Sequence, residues 1–250
     1  MQITLVGKNI LYKLSLPKTV QGNYWLTDGN ENDEKKLINV EGINGKWQIV
    51  PNDNTNIIDF KYIEIDDKGN GIKVYNRAEK ETIILEDYKM YGVTFKNSNM
   101  LFVLCCLPTF EDDFVQLDIK KHETFFIGSD SKNQISYRNK MVPKTHAKIY
   151  FSENMWMIEN YDKNFGTFVN GKAVKNNPQR LLNGDTIFVM GLKIVIMKDN
   201  IFINNPQENV YYSGEIFLLS DRKIKRPSMD EEEEKYVELY DENEYFSRAP

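Results

Sequence analysis

Few residues in this chain could do chemistry beyond packing and charge. His122, His146, Cys105 and Cys106 are its whole stock of imidazole and thiol. They are too few and too scattered for a metal site, which needs several Cys or His ligands at short, repeated spacing. Adjacent cysteines on a strand point to opposite faces, so no bridge between Cys105 and Cys106 is expected. One stretch has the spacing of a nucleotide phosphate loop, Gly166-Thr-Phe-Val-Asn-Gly171-Lys172. The match stops at Ala173, where a Ser or Thr hydroxyl would hold magnesium, and Thr167–Val169 reads as a strand with no helix after it. Asn170-Gly171 is better explained as a hairpin turn. His146 has no nucleophile paired with it, and a lone histidine beside a strand is more often a loop staple than a base. No Gly-x-Ser-x-Gly elbow, His-Glu-x-x-His pair or carboxylate cleft occurs either. The chain is therefore read as a non-enzyme, with no catalytic residue, cofactor or metal.

The elements that would position any such group are strands. Of 250 residues 12% are aromatic, and Tyr, Phe, Ile and Val dominate the apolar runs, a composition that favours sheet. Alternating segments recur at Ile3–Leu5, Ile10–Leu16, Leu37–Val40, Trp47–Val50, Tyr62–Ile65, Ile72–Tyr75, Ile83–Leu85, Gly92–Phe95 and Leu101–Leu107. Asn44-Gly45 and Asp67-Lys-Gly-Asn-Gly71 between them are hairpin-turn sequences. Strands at this spacing without helical periodicity argue a sandwich or barrel over residues 1–108. Pro108–Asp113 reads as a linker. A second set follows over 109–205: Phe114–Ile119, Thr124–Ile127, Ile135–Tyr137, Ala147–Phe151, Trp156–Glu159, Thr167–Val169, Thr186–Met190, Lys193–Met197 and Ile201–Ile203. Trp47-Gln-Ile parallels Trp156-Met-Ile, and Tyr91-Gly92-Val93 parallels Met190-Gly191-Leu192, so a tandem repeat of one fold is the economical reading.

Charge divides the chain differently. Its net charge is −5, yet Met229–Pro250 holds nine acids against Lys235 and Arg248, so the first 228 residues carry +2. No overall basic field for nucleic acid exists. Residues 206–250 read as a charged tail. It holds a basic patch at Arg222–Arg226, the run Asp230–Glu234, and helical spacing of Tyr236, Leu239 and Tyr240 after Ser228 as N-cap. A solvated connector is the simpler reading of that tail. The start, Met-Gln-Ile-Thr-Leu, lacks the features of a signal peptide, and the longest apolar run, Met100–Leu107, is far short of the ~20 residues of a spanning helix. A cytosolic segment is expected.

Four pieces of the second set occur in a telling order: Ile127-Gly128, Thr145-His146-Ala147-Lys148-Ile149, Trp156 to Gly171, and Leu181-Leu-Asn-Gly-Asp-Thr-Ile-Phe-Val-Met-Gly191. Together they resemble the forkhead-associated (FHA) domain, an all-β sandwich known for reading phosphothreonine through loops at one end. The fold this implies is all-β, two tandem FHA-like sandwiches followed by an acidic tail. By the same resemblance an Arg would follow the first Gly, a Ser would precede the His by three residues, and an Asn would precede the Gly-Thr turn. A phosphate near −2 needs such a guanidinium fork and neutral donors. Here those positions hold Ser129, Pro143 and Phe165. Losing charge-assisted bonds of ~1.5–3 kcal/mol each removes orders of magnitude of affinity. The first set contains no histidine, so it is a still more degenerate copy.

The candidate partner-binding loops are thus Gly128–Gln134, Arg138–Thr145 and Asp162–Gly166. The candidate residues are Gly128, Ser129, Arg138, Lys144, Thr145, His146, Lys163, Asn164, Phe165 and Asn170. His146 is architectural by resemblance. Two readings stay open for Lys132, Arg138, Lys140, Lys144 and Lys163: ordinary loop charges, or a looser substitute anion site that still takes phosphothreonine peptides. The whole chain also resembles the N-terminal cytosolic region of the EssC/YukB-type FtsK/SpoIIIE ATPases of type VII secretion systems, and Glu244–Pro250 resembles the aromatic-x-Arg-Ser-Pro segment ahead of their transmembrane pair. That resemblance implies protein partners from the secretion machinery and a place on the cytoplasmic face of the membrane. Membrane anchoring and any homo-oligomer would come from downstream helices and ATPase modules.

Overall fold

The computed structural model describes residues 1–30, 32–50, 55–59, 63–65, 72–74, 82–96, 98, 100–107, 114–119, 124–139, 141–204, 210–213 and 217–218. Every regular element among them is a β-strand. The first half contributes β1 (Gln2–Val6), β2 (Leu11–Ser15), β3 (Gly22–Thr27), β4 (Lys36–Ile43), β5 (Lys46–Val50) and β6 (Thr55–Asp59). It continues with β7 (Ile63–Ile65), β8 (Ile72–Val74), β9 (Ile83–Ile84), β10 (Met90–Phe95) and β11 (Leu101–Leu107). The second half begins with β12 (Phe114–Asp118), β13 (Phe125–Gly128), β14 (Ile135–Tyr137), β15 (Ala147–Ser152), β16 (Met155–Asn160) and β17 (Thr167–Val169). It ends with β18 (Lys172–Ala173), β19 (Gln179–Leu181), β20 (Thr186–Val189), β21 (Leu192–Met197), β22 (Asn200–Asn204), β23 (Val210–Tyr212) and β24 (Phe217–Leu218).

Each half is a two-sheet sandwich around its own core. In the first, the sheet β2-β1-β11-β10-β6 faces the sheet β3-β4-β5-β9, and Leu5, Ile38, Val40, Trp47 and Leu104 fill the space between. In the second, β18-β17-β20-β21-β22-β12-β24 faces β19-β16-β15-β13-β14-β23 over Val115, Ile127, Ile149, Ile158, Ile194 and Ile203. The halves close alike. The first strand of each pairs antiparallel with a late one, Ile3 opposite Cys106 and Val115 opposite Ile203. Each tryptophan strand carries a short edge strand: Leu85 N–H donates to the Trp47 carbonyl at 2.8 Å, and Trp156 aligns with Leu181. Both indoles meet an aromatic edge-on, Tyr24 at 5.6 Å and Phe151 at 5.1 Å. The tandem repeat read from the tryptophan strands is therefore present in the topology.

Three expectations change. Tyr91-Gly92 lies inside β10, paired to both neighbours, whereas Met190-Gly191 is a left-handed hairpin turn with φ of 46° and 85°, so those two segments are not equivalent. Strands β3, β6, β18 and β19 arise where Gly, Asn, Lys or Gln dilute the apolar pattern, and hydrogen bonds to a neighbouring strand make up for weak propensity. β23 pairs with β14 and β24 with β12, so the second sandwich recruits strands past residue 205. The linker Pro108–Asp113, the turn at 67–71, His122, Lys140 and the tail features beyond 218 lie outside the described residues.

The run Leu101–Leu107 is buried throughout because both faces of β11 are covered. Phe102, Leu104 and Cys106 enter the first core; Leu101, Val103 and Cys105 join Val6 and Met90 in the core of the second sandwich. At this seam Lys13 Nζ sits 4.6 Å from the Phe188 ring centroid, and a Cβ on Gly191 would fall 2.8 Å from Cys105 Cβ. Cys105 and Cys106 are free and buried, and burial pushes both thiols up, away from the reactive thiolate. Neither thiol is expected to react with Ellman's reagent in the native protein, and both should react on unfolding in guanidinium. Rapid native labelling of Cys105 would mean that the seam opens.

Candidate functional site

The candidate loops gather at one end of the second sandwich, tied by backbone hydrogen bonds more than by side chains. His146 N–H donates to the Ile127 carbonyl at 2.7 Å, and its own carbonyl accepts Tyr161 N–H at 2.8 Å. Beside it Ser129 N–H reaches the Pro143 carbonyl at 2.8 Å, and Lys144's carbonyl accepts from Asp130 N–H at 3.2 Å and Asn133 Nδ2 at 2.6 Å. The approach is so close that a Cβ on Gly128 would overlap the Lys144 carbonyl; this is why a glycine ends β13. The third loop is wound around Asp162, whose carboxylate accepts Asn164 N–H at 3.1 Å and Phe165 N–H at 2.9 Å. Asn160 Nδ2 donates to the Asp162 carbonyl at 2.8 Å and Asn160 Oδ1 accepts Thr167 Oγ1 at 2.9 Å, which anchors the loop to β17.

The structure sorts the candidate residues. Gly128, Ser129, Lys144, Thr145 and His146 come together, and the Asp162 loop brings Lys163 and Asn164 beside them. Lys144 and Lys163 are exposed, while Ser129, Thr145 and Asn164 are half-buried. Phe165 is 1% exposed and belongs to the core, so it plugs the site from beneath and offers nothing to a partner. Arg138 is 7% exposed, with its guanidinium 4.6 Å from the Tyr211 ring centroid. It holds β14 to β23 as a cation–π partner rather than standing ready for an anion. Asn170 lies at the far end of β17, where its side chain accepts Thr186 N–H at 2.9 Å and donates to Asp185 at 2.8 Å. Asn170-Gly171 form a left-handed turn between β17 and β18, with φ of 50° and 80°. The phosphate-loop spacing of Gly166–Lys172 therefore sits on a hairpin, with no helix N-terminus to receive a nucleotide.

His146 is fully buried, and neither ring nitrogen makes a well-aligned hydrogen bond among the described residues; Asp162 Oδ2 lies 3.8 Å from Nδ1. Burial lowers its pKa, and Asp162 and the Gly166 backbone only partly oppose that. The neutral imidazole is thus the folded form. Stability is expected to be intact above the usual histidine range near pH 6.5 and to fall as the pH drops below it, by at most about 1.4 kcal/mol per unit. Urea titrations at pH 7.5, 6.5 and 5.5 measure this, and His146→Gln should flatten the trend.

Sequence reasoning missed two members of this end. Tyr211, which stacks on Arg138, carries no motif, and Gly7-Lys8 belongs to the other sandwich. Gly166 N–H donates to the Gly7 carbonyl at 3.0 Å, and a Cβ on Gly166 would overlap the Lys8 carbonyl.

Comparison with known proteins agrees with this geometry. The model of the FHA domain, a non-catalytic interaction fold, matches residues 125–189, within the second sandwich. Among solved structures the chain is similar to the N-terminal FHA domain of EssC, a component of the bacterial type VII secretion apparatus. The TM-score is 0.50 at 13% identity, covering 85% of this chain and 95% of that one. That likeness shows the shared fold across both sandwiches. The second FHA domain of a Mycobacterium tuberculosis ABC transporter gives a TM-score of 0.30 at 22% identity, covering 33% of this chain and 74% of that one. No curated protein sequence matches.

Proposed function

We propose that this chain is a non-catalytic protein-interaction and assembly module that recognises its partners without a phosphothreonine. We place it at the cytoplasmic face of a type VII secretion machine. The loop end supports the first part. Where a phosphate reader of this family needs an Arg, a Ser and an Asn, the chain has Ser129, the donor-less Pro143 and the buried Phe165. The guanidinium of Arg138 lies over the Tyr211 ring, 4.6 Å from its centroid. The likeness to the EssC domain and the character of Glu244–Pro250 support the second part. Partner contacts then fall to the rim of the loops, the half-buried Ser129–Ser131 and the exposed Lys132, Lys144 and Lys163. The outer face of β15 and β16 joins them; there Lys148 pairs with Glu159 at 3.0 Å beside Tyr150 and the half-exposed Tyr161. No described helix is long and apolar enough to cross a membrane.

Calorimetric titration of the chain with phosphothreonine peptides and their unphosphorylated twins tests the reading. Equal or absent heats for each pair are expected. Phosphate-dependent binding that disappears in Lys144→Ala and Lys163→Ala would overturn it in favour of a substitute anion site.

A further inference from the structure

The seam between the sandwiches reaches into the loop end itself. Gly7–Ile10 connects β1 to β2 as a turn closed by Gly7 N–H to the Ile10 carbonyl at 2.8 Å. Its outer edge presents two successive carbonyls to the buried Gly166, the last residue before β17. Gly7's carbonyl takes the Gly166 amide; Lys8's carbonyl fills the space a side chain there would need. Gly166 has no positive φ, so its lack of a side chain serves this approach and not backbone freedom. A main-chain N–H at a loop mouth, met by the carbonyl of a separate segment, is how extended peptides are gripped irrespective of sequence.

We propose that the Gly7–Ile10 turn is a ligand in cis for the second sandwich. It occupies the Gly166 side of the loop end and holds the Asp162–Gly166 loop in one form. An external protein segment can use that amide only by displacing the turn, whereas the Ser129–Lys132 and Lys144 side stays open. Partner entry on the Gly166 side is thereby coupled to movement of the Gly7–Ile10 turn away from the second sandwich. The idea does not depend on whether partners carry phosphate.

Hydrogen exchange on the whole chain tests it. Leu5 and Tyr12 are direct partners across β1 and β2, so replacing residues 7–10 with a longer Gly-Ser loop keeps the ladder paired behind it and lets both carbonyls leave Gly166. The Gly166 amide and residues 161–166 should then exchange about tenfold faster, the scale of one lost hydrogen bond, while β15 and β16 keep their protection. Gly166→Ala should give the same local release by pushing the Lys8 carbonyl away. If Gly166→Ala unfolds the chain, the loop replacement still decides. Unchanged exchange at 161–166 in the loop-replacement variant would overturn the proposal.

Discussion

Phe165→Ala is expected to lower the unfolding free energy by about 3–5 kcal/mol, the usual cost of emptying a buried phenylalanine site. The residue sits in a loop, two positions from exposed Lys163, and position alone would make both partner contacts. Burial separates them. Phe165 is 1% exposed and packs in the second core, and its N–H is tied to Asp162 Oδ2 at 2.9 Å. Removing the ring leaves a cavity under the loop end that the Asp162 turn cannot collapse into without breaking that bond. Lys163→Ala should change stability by no more than about 0.5 kcal/mol, as exposed substitutions do. Phe165→Asn, which puts back the residue type of a phosphate reader, should be no better than alanine, because an amide buried there without partners carries its own desolvation cost. Guanidinium titrations of the three variants measure these differences. A loss below about 1 kcal/mol for Phe165→Ala would return that ring to the binding surface.

Local chemistry was legible in the sequence, and long-range chemistry was not. Asn44-Gly45 and Asn170-Gly171 announce their hairpins because the left-handed turn is written in those two residues, and both adopt it. The tryptophan strands and the strands after them could be read from alternation for the same reason. Gln179–Leu181 could not. It is a strand by virtue of its hydrogen bonds to Met157 and its neighbours, and nothing in Gln-Arg-Leu says so. At the site, Gly128 and His146 could be placed in order along the chain. That Arg138 would be spent on Tyr211, and Gly166 on Gly7, depends on segments far apart in sequence meeting in space. Leu101–Leu107 stood between these extremes. A continuous apolar run says that both faces of a strand are covered, but it does not say that one cover is a second sandwich.

That second cover makes Val103→Lys a severe change, with an expected loss of about 3–5 kcal/mol or more from an unpaired charge in a dry seam. Val103 is completely buried, opposite Val6 across the β1–β11 ladder, and its side chain enters the core cluster of the second sandwich. Its neighbour Leu104 points the other way, into the first core, and Leu104→Ala should cost about 2–5 kcal/mol there. If the sandwiches were independent beads on a string, these two adjacent substitutions would act separately. The lysine would reach water at a wet joint, and the alanine would lower only the first of two melting transitions. A shared core requires the opposite. Scanning calorimetry of the native chain should show one transition. Both variants should lower that same transition by roughly 10 °C, since a chain of this size shifts about 2–4 °C per kcal/mol. Two resolved transitions, with only one moved by Leu104→Ala, would show that the seam is a surface contact and not a core. A single transition displaced by either face of one strand means that β11 is the centre of one cooperative unit, and the loop end inherits its rigidity from both sandwiches.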